Sequence, residues 1–394
     1  MSFPLALLFR EWAQMRRFHA LDAAARSIVF YAEDAASWVH LEPIIEQLTG
    51  SFGRNICYLT SDSRDPILTH AGENIRAFHI GDGVVRTSLF LSLRAGVLVT
   101  TMPDLQTFHI KRSKVHQVHY VYLFHSMVST HMIYRKGAFD HYDTILCVGP
   151  HQVREIRETE RLYGLKPKRL IKHGYGRLDT MLRDDRNRAA PRRASDVRAR
   201  RVLVAPSWGP QGLLESSGQE LTEVLLEAGY RVTVRPHPMT GRKRPSVIRE
   251  LAKRFGDHPD FVLETDMTSR QSLADADIMV SDWSGAALEY AFAYERPVLF
   301  VDVPRKVNNP DYERVGCEPL EVSIRQEIGE VVSPQNLDRL PGSIEQLCAD
   351  PAAFGERIRQ VRNRTVYNPG TSGAVGAAAI AGIADEVMNQ RDDG

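Results

Sequence analysis

From residue 26 onward, short β-rich runs alternate with amphipathic or polar stretches, and this alternation narrows the fold more than any other feature of the chain. "SIVFYA", "NICYLT", "AGVLVTT", "HYVYLF" and "TILCVG" form a first series. Alternation of this kind predicts βαβ units and a mostly parallel sheet. The series breaks at residues 183–200, "RDDRNRAAPRRASDVRAR", a charged stretch that contains Pro191 and has no apolar period. It reads as an interdomain linker or exposed loop. "RVLVAPSW", "RVTVRPHP", "DFVLET", "ADIMVSDW" and "RPVLFVD" then restart the pattern. The expectation is an α/β protein of two doubly wound domains, residues 26–182 and 201–345, facing each other across a cleft. An amphipathic helix (1–25) precedes them and further helices (346–394) follow. A length of 394 residues suits two cores of this size.

Lysine plus arginine (50) nearly balance aspartate plus glutamate (49), so the net charge of +1 gives no global attraction for nucleic acid. Cys57, Cys147, Cys317 and Cys348 are far apart and form no CxxC pair. Neither a zinc knuckle nor a disulfide framework is suggested, and a reducing cytoplasm fits best. No run of 18 apolar residues is present to span a membrane. The first stretch, "MSFPLALLFREWAQMRRFHAL", places Leu5, Leu8, Phe9, Trp12 and Met15 at roughly helical spacing with Arg10, Arg16 and Arg17 between them. It predicts either a helix packed on the first domain or one lying on the anionic inner membrane surface.

In doubly wound sheets, ligands collect at the carboxyl ends of the strands. "ADIMVSD" ends on Ser281 and Asp282, with a helix starting near Ser284. The positive end of that helix, capped by Ser284 or Asp282, is a site for phosphate. "VTVRPHP" ends on Arg235 and His237, held by prolines and suited to offsetting phosphate charge. "YVYLFHS" brings His125 out of a buried strand, a natural general base. Ser207 follows "VLVAP", and "HGYGRLD" carries Arg177 and Asp179. GxGxxG and GxxxxGK[ST] are absent, which argues against a Rossmann dehydrogenase and a P-loop kinase. Seven histidines fall between His109 and His151, yet their spacing matches no metal motif, so neither a metal nor a cofactor is expected.

Taken in order, these segments resemble the CDP-glycerol glycerophosphotransferase family of teichoic-acid primases and polymerases, from "YLFHS" at 122 to "RPVLFVD" at 302. The resemblance implies a GT-B fold of two Rossmann-like domains, with the donor nucleotide held mainly by the second. In the family's Trp-His-Gly-Thr segment the histidine, the candidate base, matches His125. The other three positions are Phe124, Ser126 and Met127 here. The "GYPRND" segment is similar to Gly174 to Asp179. "APTWR" corresponds to Ala205 to Gly209, without its basic residue, and "RPHP" is kept at Arg235 to Pro238. In "SDYSS" the last serine becomes Gly285.

The resemblance implies a CDP-alcohol donor and a lipid-linked or glycan acceptor. Ser281 and Ser284 would fix the phosphates, and Arg235 and His237, whose histidine the family assigns to the phosphates, would offset charge on departing CMP. Asp282 would act as a cap, His125 would take the acceptor's proton, and Glu289 would reach the ribose hydroxyls. "KRSK" at 111–114 would add charge facing an anionic surface. A GT-B glycosyltransferase using a sugar nucleotide, a UDP-sugar epimerase and a non-catalytic nucleotide-binding module are the alternatives.

Overall fold

Two parallel sheets organise the chain. The computed structural model describes residues 3–187, 200–266 and 269–392. The first sheet contains β1 (Ile28–Ala32), β2 (Ile56–Thr60), β3 (Ile75–His79), β4 (Val97–Thr100), β5 (His119–Leu123), β6 (Thr144–Cys147) and β7 (Arg169–Lys172). Its order is β3-β2-β1-β4-β5-β6-β7. The second contains β8 (Arg201–Val204), β9 (Arg231–Val234), β10 (Phe261–Leu263), β11 (Ile278–Ser281), β12 (Val298–Val301) and β13 (Gly329–Val332), ordered β10-β9-β8-β11-β12-β13. Strand order reverses between β1 and β4 in one sheet and between β8 and β11 in the other, and the loops at such switch points form ligand crevices.

Every residue of β1, β2, β4 and β6 is buried, as expected for a sheet covered on both faces. All ten runs read from the sequence are strands. The three strands without such a run, β3, β7 and β13, lie at sheet edges and leave part of their length accessible. An edge strand has no need of the continuous apolar stretch that marks a central one.

The helix Gly176–Arg186 continues through the first residues of the expected linker because Met181 and Leu182 pack into the first core. Residues 188–199 of that linker lie outside the described residues. The C-terminal helix Ser372–Asp392 returns to the first domain and packs on the helix Trp38–Thr49. Its Ala377, Ile380, Ala381, Ile383 and Ala384 join the core formed by Ile28, Phe30, Val97 and Val99. Asp179 anchors its start, accepting from Gly370 N (2.7 Å), Ser372 Oγ (2.6 Å) and Gly373 N (3.1 Å).

The N-terminal helix, Phe3–His19, divides along its length. Met15 and Phe18 are buried in the first core, with Leu8 and Trp12 against it. Leu5, Leu7 and Phe9 are 62%, 47% and 72% exposed. The Glu11 carboxylate fills the space beside Gly81 (φ 66°), just past the carboxyl end of β3. At 1.5 Å per residue, the turns before Glu11 carry Leu5 roughly 9 Å further.

No helix among the described residues is long and apolar enough to cross a membrane. Asp179→Ala would leave three donors without their acceptor. We expect it to cost about 2–3 kcal/mol of stability in denaturant titration, with faster amide exchange concentrated in 372–392.

Candidate active site

On the second domain, the first residue after β11 organises the loops. The buried Asp282 carboxylate accepts from Ser207 N (2.6 Å) and Leu213 N (3.3 Å), tying the turn after β8 to the turn after β11. Asp282 therefore neither caps the following helix nor faces a ligand, and burial pushes its carboxyl up against the pull of those donors. Ser284 is the cap of the helix Gly285–Tyr294, its Oγ accepting from Ala286 N at 3.3 Å. Ser281 is enclosed and donates to the Ala205 carbonyl (2.8 Å), so the phosphate contact expected of it is not made by this side chain.

Arg235 is also directed inward and only 4% exposed. Its Nη1 lies 2.9 Å from Glu264, 2.8 Å from the Ser269 carbonyl and 3.1 Å from Ser272 Oγ. A buried guanidinium must be paired, and here the pairing is internal. This removes Arg235 from the expected phosphate contacts. His237, two residues on, does face the cleft. Its Nδ1 accepts from Met239 N (3.1 Å), which places the ring proton on Nε2. Burial, and then the nearby Lys306, lower its pKa to about 4, so in the free protein it is a neutral donor. Lys306 comes from the loop after β12 and packs over the Trp208 ring, Nζ 4.3 Å from the centroid. Burial lowers its pKa, opposed by Asp282 and Glu215, yet among the described residues no carboxylate lies within ion-pair distance. It is the cation lining the cleft from this domain.

On the first domain, His125 sits two residues past the end of β5 and lines the cleft. Its Nδ1 is 3.1 Å from the Thr101 carbonyl, so Nδ1 carries the proton and Nε2 keeps its lone pair. The surrounding protein lowers its pKa, a shift opposed by the Thr101 carbonyl and Glu289. The His40 ring is 6.1 Å from it, and Glu33, Asp34 and Asp104 complete the acidic rim at the first switch point.

The two walls are joined at the base. Glu289 accepts from Arg177 Nε (2.9 Å), and the Tyr175 hydroxyl lies 2.6 Å from its other oxygen and 3.0 Å from the His125 carbonyl. Glu289, expected at the ribose hydroxyls, and Arg177, expected among the substrate-binding residues, are thus each other's partner across the domain junction, and both Glu289 oxygens are occupied. Ser129 N and Oγ add a second tie to the buried Glu321, at 2.8 and 2.6 Å. Elsewhere in the histidine-rich stretch, His131 and His151 are interior groups bonded to the carbonyls of Cys317 and Met127.

The resulting cleft has a volume of 770 Å³. His125, Arg177, Ser207, His237, Ser284 and Glu289 line it, whereas Ser281, Asp282 and Arg235 do not. Lys306, Trp208 and His40 also line it. Trp208 directly follows Ser207, but Lys306 lies in the loop after β12 and His40 within the helix Trp38–Thr49, and no local signal marks either as a cleft residue.

Two doubly wound domains closing on such a cleft define an enzyme of the GT-B architecture. A family model described as CDP-Glycerol:Poly(glycerophosphate) glycerophosphotransferase matches residues 79–306, and the chain belongs to that family. No curated protein matches the sequence. Among solved structures, the wall teichoic acid polymerase TagF, in a crystal soaked with CDPG, superposes with a TM-score of 0.57 at 12% identity, covering 97% of this chain and 95% of that one. A putative UDP-N-acetylglucosamine 2-epimerase from Listeria monocytogenes gives 0.57 at 12% identity over 91% and 96%. A glycosyltransferase from Rickettsia africae gives 0.55 at 11% over 92% and 98%. These likenesses show the fold.

His125 should titrate below the ordinary imidazole value of about 6.5 and hold its neutral proton on Nδ1. Long-range 1H–15N NMR of the histidine rings reads both, and a proton on Nε2 would contradict the assignment.

Proposed function

We propose that the chain transfers a polyol phosphate, glycerol phosphate as first choice, from a CDP-activated donor to a hydroxyl of a lipid-linked or glycan acceptor in cell-envelope polymer synthesis, releasing CMP. The observation that carries this reading is the complementary pair of tautomers in one cleft: His125 offers a lone pair from the first domain, and His237 offers an N–H from the second. The donor phosphates rest at the positive end of the helix Gly285–Tyr294, beside Ser284, His237 and Lys306. The acceptor oxygen attacks the phosphorus bonded to glycerol as its proton passes to His125 Nε2. A new P–O bond forms, the bond to CMP breaks, and Lys306 with His237 offsets the charge on the departing phosphate. Lys306 thus takes the part expected of Arg235.

Thermal stability of the purified protein with CDP-glycerol, CDP-ribitol, CMP, UDP-N-acetylglucosamine and UDP tests the donor. A CDP-alcohol or CMP should stabilise it selectively. Lys306→Ala should weaken that response by roughly 10-fold in ligand concentration, the scale of one charge-assisted contact. Stabilisation by UDP ligands alone would move the assignment to a glycosyltransferase or epimerase.

A lipid-linked acceptor also accounts for the protruding turns of the N-terminal helix. Leu5, Leu7 and Phe9 are presented past the same sheet end that carries His125, and burial of such side chains in a bilayer interface is favourable. Of the basic run at 111–114, Arg112 is paired with Asp143 (3.0 Å) and Lys111 with the Gln106 carbonyl (2.5 Å), so this stretch contributes less than its charge suggests. In co-sedimentation with vesicles containing anionic lipid, Leu5→Asp/Phe9→Asp should release the protein without altering its Tm. Unchanged binding would rule out this helix as the membrane contact.

A further inference from the structure

Two departures from the family pattern meet at one point. Gly285 stands where the pattern has its last serine, and Ser126 stands where it has the glycine after the base histidine. They belong to opposite domains, Gly285 opening the helix Gly285–Tyr294 and Ser126 following His125. A Cβ on Gly285 would lie 2.7 Å from Ser126 Oγ and 3.8 Å from Val128 Cγ1. The Ser126 hydroxyl therefore occupies the space a side chain at 285 would need, at the positive end of the helix. Both residues line the cleft, and Ser126 Oγ forms no hydrogen bond to any described residue.

We propose that Ser126 is a substrate-binding residue that gives the donor phosphate, from the first domain, the hydroxyl that the family pattern places on the second. The hydroxyl is exchanged across the cleft, and positions 126 and 285 act as a reciprocal pair. This rests on the donor reading above for the identity of the nucleotide and for the place of its phosphates at the helix end. A serine O–H to a phosphate oxygen is a short, charge-assisted bond. Because this one is made from the opposite wall, the bound phosphate bridges the two domains.

The test compares wild type, Ser126→Gly, Gly285→Ser and the double variant by calorimetric titration with CDP-glycerol and with UDP, alongside ligand-free Tm. Ser126→Gly should weaken binding by roughly 10-fold. Gly285→Ser alone should do the same or worse, since its Cβ displaces the Ser126 hydroxyl. The double variant, with room and a hydroxyl restored, should return to within about 3-fold of wild type. Wild-type affinity in Ser126→Gly, or a double variant no tighter than both single variants, would overturn the proposal. So would a drop in the ligand-free Tm of Ser126→Gly that accounts for its whole loss of affinity. If wild type binds UDP and not CDP-glycerol, the donor assignment fails while the same comparison with UDP still judges the pair. Wild type binding neither ligand overturns both.

Discussion

The geometry of the cleft depends on one carboxylate. Glu289 belongs to the second domain's helix, yet its partners, Arg177 and Tyr175, come from the first, and Tyr175 also reaches the His125 backbone. The helix end and the histidine are thereby held in register through three side chains. The pair is largely withdrawn from water, so removing one member strands a charge, at a cost of about 3–5 kcal/mol for fully buried pairs. The clearance between Ser126 and Gly285 is meaningful only because this junction, with Glu321 and Ser129 as its second tie, keeps the domains from sliding.

Much of the site's chemistry follows from how the cations are used. Arg235 is neutralised by Glu264 and Arg177 by Glu289, both largely buried, and Arg112 by Asp143 nearer the surface. Guanidinium groups suit such roles because their planar fork makes several bonds at once. Lys306 has no carboxylate partner among the described residues and is held over an aromatic face instead, so its charge is available to an incoming anion. Residue type and strand-end position alone could not separate these cases.

The parts of the fold legible in the sequence were those where burial on both sides forces an unbroken apolar run, as in β1, β2, β4 and β6. Of the four edges, β10 was read, while β3, β7 and β13, relieved of that demand, escaped. At the site, His125, Ser207, His237 and Ser284 could be read because each lies just past such a run. Ser281 and Asp282 share that position but turn inward, since which way a strand's last side chains point is set by the sheet's pleat and by the neighbouring loop. Lys306 and His40 come from loop and helix positions that only the folded topology brings to the cleft. The Arg177–Glu289 pair spans more than a hundred residues and leaves no local trace.

The return of the C-terminal helix to the first domain also bears on how the chain is made. Ile28, Phe30, Val97 and Val99 share their core with Ala377, Ile380 and Ile383, so the first domain cannot complete its interior from its own contiguous residues. At ribosomal rates, the interval between synthesis of Arg186 and of Asp392 is on the order of 10–40 s. Throughout that time the sheet face, covered by Leu41, Ile44 and Leu48, lacks the remaining part of its cover while the second domain is still being built. The interior of the first domain is thus completed only when the C-terminal helix has been made, and in chain order the second domain is an insertion within the first.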